Sequence, residues 1–266
     1  MSFFPAPSDV QPGAVHRRLT AVAEILLCSS VPTQLAIATL LGLGGLSPDD
    51  EAGGLSLRFV FVLSVVDTFL LIGLMVALTR AHGESVAALW LGFRPVGREA
   101  LLGALLIPVV FVMVVVVLNV LRLTAPWLHN VPTNPLEQLA ATPGQATIFA
   151  VVAILAGGVR EELQRAFLLQ RFERHLGGPL VGVIVLSVAF GIGHIVQGWD
   201  AVIATGLLGA FWAVVYVRRR SSIAPLVSHA GFNALEVKHV VVRAYRLPLP
   251  QHLLRQNGRR RSTIET

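Results

Sequence analysis

The sequence predicts an all-α fold, a polytopic transmembrane helix bundle of about seven spans (six to eight), and three observations carry that expectation. Of 266 residues, 54% are hydrophobic and only 14% are charged, with a mean hydropathy of +0.71, whereas a soluble domain carries about 25% charged residues. The apolar residues fall into blocks of roughly 20, the length a helix needs to cross ~30 Å of hydrocarbon. Basic residues sit in short clusters between those blocks, as the positive-inside bias requires. The composition excludes a water-soluble globular protein. It also explains the net charge of +6 without nucleic acid.

Residues 1–18 read as a flexible lead ending at Arg17 and Arg18, with no cleavable signal pattern. The first span runs from about Leu19 to Leu43 and contains Pro32, an expected kink. The lone cysteine, Cys28, falls inside it; no intrachain disulfide is possible, and a small buried apolar role is expected. An acidic loop, Asp49-Asp50-Glu51, precedes a second span from Leu57 to Thr79. A basic connector from Arg80 to Arg98 leads to a third, Ala100 to Leu123. Residues 124–145, rich in Pro, Thr and Asn, read as a loop with one surface helix turn. The fourth span, Ala146 to Leu169, meets Arg171, Arg174 and His175 before Gly177-Gly178-Pro179 breaks the chain. The fifth and sixth spans are Leu180 to Val196 and Ala201 to Val217, the latter ending at Arg218–Arg220. A more polar seventh helix covers Ile223 to Val242, so the helical membrane domain is residues 19–245 and the basic tail 246–266. The Lys/Arg clusters at 17–18, 80–98, 171–175 and 218–220 fall on one side, which places the N-terminus of a multi-pass cell-membrane protein in the cytoplasm. Arg259–Arg261 breaks that pattern if seven helices cross.

A charge at the bilayer centre costs about 2.5–17 kcal/mol, depending on the reference state, and persists where it faces protein or water. The fourth span holds Arg160, Glu161, Glu162 and Arg165 within six positions. At helical spacing Glu161 and Arg165 lie about 40° apart, and Glu162 is also within reach of Arg165. One carboxylate can pair with the arginine while the other points elsewhere; an interhelical salt-bridge lock is the alternative. The fifth span adds His194, and the seventh adds His229 and Asn233 on one face. Each needs hydrogen-bond partners inside lipid, and meeting one another around water satisfies them. Gly191, Gly193, Ala230 and Gly231 beside them allow close backbones or a cavity. A carboxylate kept from bulk water suits a general base near neutral pH, and a histidine can share and orient its water. A second histidine and an amide can donate to a developing oxyanion. Such a set hydrolyses a peptide bond without a nucleophilic serine or cysteine.

At these residues the chain resembles the CPBP family of intramembrane glutamic proteases, which includes CAAX prenyl endopeptidases and bacteriocin-processing or self-immunity proteins. The family pattern is EExxxR, then FxxxH, then HxxxN, each on its own helix. Phe190 and His194 match the second, His229 and Asn233 the third, and the likeness covers about residues 100–243. In the first, Arg165 comes one position early after the pair. Anchored on the glutamates, Glu161 is the base and Glu162 its companion. Anchored on Arg165, Glu161 is the companion and Arg160 stands at the base position. Glu161 belongs to the motif in both registers and is taken as base, with Glu162 the alternative. The resemblance implies that His194 helps hold the attacking water, that His229 and Asn233 form the oxyanion hole, and that Arg165 positions the glutamates.

The expected function is therefore an intramembrane peptidase, with CAAX-type processing as one form, needing no cofactor and no metal. Its expected partners are a peptide or protein substrate, lipid-modified or membrane-embedded, and the bilayer, with no nucleic acid. Metal-dependent hydrolysis is the rival within enzymes, but neither HExxH nor HxxEH occurs. A proton-coupled small transporter is the rival outside them, since Glu24 and Asp67 add acidic residues to the first two spans. A catalytically inactive scaffold or immunity protein of the same family is the third reading. Interfacial or interhelical hydrogen bonding is the preferred role for Glu24 and Asp67. No phosphate-binding glycine loop is present, so no nucleotide is implied.

Overall fold

The computed structural model describes residues 12–50 and 53–246. Among them the fold is a helical bundle without β-strands, apart from one isolated bridge between Asp49 and Leu55. The elements are α1 (Pro12–Leu27), α2 (Val31–Leu43), α3 (Leu57–Ala81), the short α4 (Val86–Trp90), α5 (Val96–Thr124) and α6 (Pro143–Val152). A π-helical segment, Ala153–Arg160, runs straight on into α7 (Glu161–His175). Then come α8 (Pro179–Ile192), α9 (Trp199–Arg219) and α10 (Ile223–Arg246). Residues 1–11 of the expected lead, and the basic tail with Arg259–Arg261, lie outside the described residues.

Local chemistry sets the boundaries. The Ser56 and Ser85 hydroxyls accept from the main-chain N–H groups of Phe59 and Ala88, capping α3 and α4. Thr142 caps α6 in the same way ahead of Pro143. The expected break at residues 177–179 is present: Gly177 and Gly178 both have φ of 95°, and Pro179 opens α8.

The first expected span differs. It is two helices, broken at residues 28–30, rather than one helix kinked at Pro32. Ser30 takes φ 71°, and Pro32 sits in the first turn of α2, where no N–H is required of it. Proline here starts a helix. Helix α1 begins at Pro12, so Arg17 and Arg18 are helical. The loop 124–145 contains two 3₁₀ turns, Pro126–Leu128 and Pro135–Ala140, where one turn was expected. The fifth apolar helix stops at Ile192, short of the expected Val196.

Among the described residues, four stretches are long and apolar enough to cross a bilayer: Gly13–Leu43, Leu57–Ala81, Val96–Thr124 and Trp199–Arg219. Helix α8 is apolar but short, and the rod 143–175 and α10 carry the polar residues. The surface turns apolar side chains outward, among them Leu101, Leu105 and Val112 of α5 and Leu180, Ile184 and Val188 of α8, as lipid-facing helices require. This is a membrane protein. Inside, Cys28 is fully buried beside Leu71, Met75, Phe167 and Ala213. Helices α8 and α9 approach so closely that a Cβ at Gly191 would lie 2.5 Å from the Val202 carbonyl oxygen, the small-residue contact that membrane helices use.

Ion pairs gather the basic clusters at one end of the bundle. Arg171 bonds Glu24 (2.5 Å) and Glu84 (2.8 Å), Arg174 pairs with Glu84, Arg219 meets Glu99 at 2.5 Å, and Arg220 bonds Glu173 at 2.6 Å.

Candidate active site

The site is built where the rod 143–175 passes α10. A π-helix is wider than an α-helix and often marks a functional position. Here its two glycines admit α10: a Cβ at Gly158 would come within 2.6 Å of the Ala230 main chain, and one at Gly157 within 2.5 Å of the Asn233 amide nitrogen. That approach brings His229 onto the glutamates at the start of α7.

Glu162 is closed off. Its side chain is 1% exposed, its Oε1 is paired with Arg165, and the same oxygen lies 2.8 Å from His229 Nδ1. The carboxylate is pinned by a cation, so Nδ1 carries the hydrogen and donates. The guanidinium lies 4.8 Å from the Phe190 ring centroid and 5.8 Å from that of Trp212. Trp212 stacks on the His229 imidazole with centroids 3.8 Å apart and donates its indole N–H to Ser228. The ring of His229 is thereby held on its face and at one edge, leaving Nε2 as its working edge.

Glu161 is held differently. Its side chain is 21% exposed, one oxygen is 3.3 Å from Arg160, and the other is 4.0 Å from His229 Nε2. The gap exceeds a hydrogen bond and fits one bridging water. Arg160 is in turn bonded to Asp67 (2.6 Å) and Ser30 (2.7 Å), and Asp67 also accepts from Thr33 and Gln34. Gln164 donates to the Cys28 carbonyl (2.6 Å) and to Ser30 Oγ (3.0 Å), filling the break between α1 and α2. The two arginines flanking Glu161-Glu162 thus serve one glutamate each.

Asn233 donates from its amide to the Ala153 carbonyl at 3.0 Å, at the start of the π segment; the amide has a second N–H to offer. His194 stands apart from the carboxylates. Its Nδ1 bonds the Phe190 carbonyl at 2.8 Å, and its ring lies 4.8 Å from the Phe190 ring, which is 6.1 Å from His229. Of the residues expected from sequence, Glu161, Glu162, Arg165 and His229 converge, Asn233 braces the same rod, and His194 joins through Phe190. Sequence reasoning left out Arg160 as a partner of Glu161, together with Asp67, Ser30 and Trp212. A buried Asp67 on α3 matching a buried Arg160 was the available signal. Of the two roles expected for Glu24 and Asp67, interfacial or interhelical hydrogen bonding, the second is what both do. Among the described residues no group of three His, Cys, Asp or Glu side chains has the spacing of a metal site.

A family model described as type II CAAX prenyl endopeptidase Rce1-like matches residues 143–235. The match opens at the N-terminus of the rod and ends just past Asn233, so it holds all three motifs, and it agrees with the resemblance read from them. No curated protein and no solved structure matches the chain.

Proposed function

We propose that this chain, Rce1-like over residues 143–235, is an intramembrane endopeptidase that hydrolyses a peptide bond with a glutamate-activated water. The observation that carries this reading is the inequality of the two glutamates. Glu162 is 1% exposed and held through Oε1 by both Arg165 and His229, its Oε2 shut away without a partner, whereas Glu161 is 21% exposed and keeps an oxygen facing the His229 Nε2 edge across 4.0 Å. A water in that gap gives its proton to Glu161 and attacks the scissile carbonyl carbon. The developing oxyanion accepts hydrogen bonds from the His229 Nε2 edge and from the second N–H of Asn233. Glu161 then hands the proton to the departing amine, and carbon–nitrogen cleavage completes hydrolysis. His194, its Nδ1 committed to the Phe190 carbonyl, keeps Nε2 for the substrate. Arg165 orients the pair through Glu162, and Arg160 holds Glu161. CAAX-type processing, with a lipid-modified peptide as substrate, is the form that the matched family's description favours.

The test compares peptides released from membranes containing wild type, Glu161→Gln or His194→Ala, at equal protein levels. Products specific to the wild type and missing from both variants are expected. A Glu161→Gln protein that releases the same products removes the proposal.

A further inference from the structure

Where α1, the end of α3 and the end of α7 meet, the bundle holds a cavity of about 310 Å³, lined chiefly by His16, Arg17, Glu24, His82, Arg171 and His175. It shares no residue with the Glu161–His229 cluster, and Arg171 stands ten residues along α7 from Glu161, about 15 Å at helical rise.

Its charge does not balance. Arg171 is 2% exposed and bonds Glu24 through Nε and Glu84 through Nη1. Its Nη2 has no hydrogen-bond partner, although buried polar groups are almost always satisfied. Arg174 takes the other side of Glu84, and His82 shares Glu24 at 2.5 Å. Arg17 has no carboxylate partner among the described residues. Two guanidinium groups and three imidazoles thus line the cavity beside one carboxylate, Glu24, that is already in use. Burial, and after it the Arg171, Arg174 and Arg17 cations, hold His175 below the usual imidazole range. The cavity lacks an anion. Arginine's planar fork suits phosphate oxygens, and basic pockets between membrane helices take lipid headgroups. From this cavity α1 continues with Leu19 (65% exposed) and Leu26 (62%) turned outward, a path for acyl chains.

We infer that this cavity is a phosphate-binding site whose occupant is the headgroup of an anionic phospholipid, with Arg17 and Arg171 as its ligands and the acyl chains along α1. The full chain, purified in a neutral detergent, is titrated with dioleoyl phosphatidylglycerol, with dioleoylglycerol and with inorganic phosphate, and retention is read by native mass spectrometry. Phosphatidylglycerol retained about tenfold more tightly than the phosphate-free lipid is expected, and Arg17→Gln removes about tenfold of that. Displacement by millimolar inorganic phosphate assigns recognition to the phosphate alone; resistance to it, with the Arg17 dependence intact, assigns it to the lipid. Equal retention of the two lipids overturns the inference. So does phosphatidylglycerol retention unchanged in both Arg17→Gln and Arg171→Gln. Arg17 is exposed and holds no carboxylate of the fold, so the first variant tests binding even where the second fails to fold.

Discussion

Two regions of the rod 143–175 use the same side chains to opposite ends. Near His175 the carboxylates are spent on structure: Glu84 lies between Arg171 and Arg174, Glu24 between Arg171 and His82, and Glu173 on Arg220. At the start of α7 the arithmetic looks similar, with two arginines and two glutamates, yet one oxygen of Glu161 has no protein group within hydrogen-bond distance and faces an imidazole edge. The difference lies in geometry. Arg165, three residues from Glu162, pairs with its Oε1 inside the protein, but Arg160 is drawn away by Asp67 and Ser30 and only brushes the partly exposed Glu161 at 3.3 Å. Burial of charge by itself does not mark chemistry; an accessible acceptor facing an oriented imidazole does.

The sharpest way to break this contrast is Glu161→Gln. It should lower peptide hydrolysis about a hundredfold to ten-thousandfold, the range for a lost general base, while the thermal midpoint in detergent stays near wild type; equal activity would make the two regions alike. Glu162→Gln should act on both properties. It leaves the buried Arg165 without its carboxylate, a loss of about 3–5 kcal/mol in unfolding experiments, together with the hydrogen bond that fixes His229. If Glu162→Gln keeps wild-type stability, that pair is no lock.

Gly158→Val tests the close approach itself. Overpacking against Ala230 should cost about 1–3 kcal/mol and lower kcat by moving His229, whereas Gly144→Ala, with open space around it, should change neither. The smallest effect is expected at Glu173. The Arg220 guanidinium, hydrogen-bonded to it, holds its carboxyl below the ordinary 4.5. The stability this pair adds is therefore complete above that value and lost as the pH falls through the lower folded one. Both side chains are partly exposed, so Glu173→Gln should cost under about 1 kcal/mol at neutral pH. It should also flatten the acid limb of a stability–pH curve and leave hydrolysis untouched.

Much of this architecture is legible in the amino-acid sequence. The spans Leu57–Thr79 and Ala201–Val217 agree with α3 and α9 to within a few residues, because long apolar periodicity against turn chemistry is a local signal. The convergence of Glu162, Arg165 and His229 follows from the cost of ionisable groups in lipid. What the sequence hides depends on contacts distant along the chain. Asp67 reaches Arg160 across 93 positions, and no spacing rule announces that. The break at Ser30 depends on Gln164 and Arg160 arriving to satisfy it, whereas Pro32 is the visible suspect. His194 is expected beside Glu161, but its bond to the Phe190 carbonyl turns it toward its own helix. The π segment leaves no trace because its residues, Ala153–Arg160, have no composition that distinguishes them from an ordinary turn.

That wide turn makes residue count as binding as residue identity. An α-helix advances about 100° with each residue, and the π segment absorbs surplus chain while the helix runs unbroken from α6 into α7. Deleting one amino acid between Ala153 and Arg160 would let the turn tighten to α, leaving α6 and α7 in nearly the same phase but abolishing the wide turn between them. The Ala153 carbonyl would leave Asn233, and Gly157 and Gly158 would no longer meet α10. An insertion–deletion scan should therefore find this stretch intolerant of shortening even where each of its side chains can be exchanged.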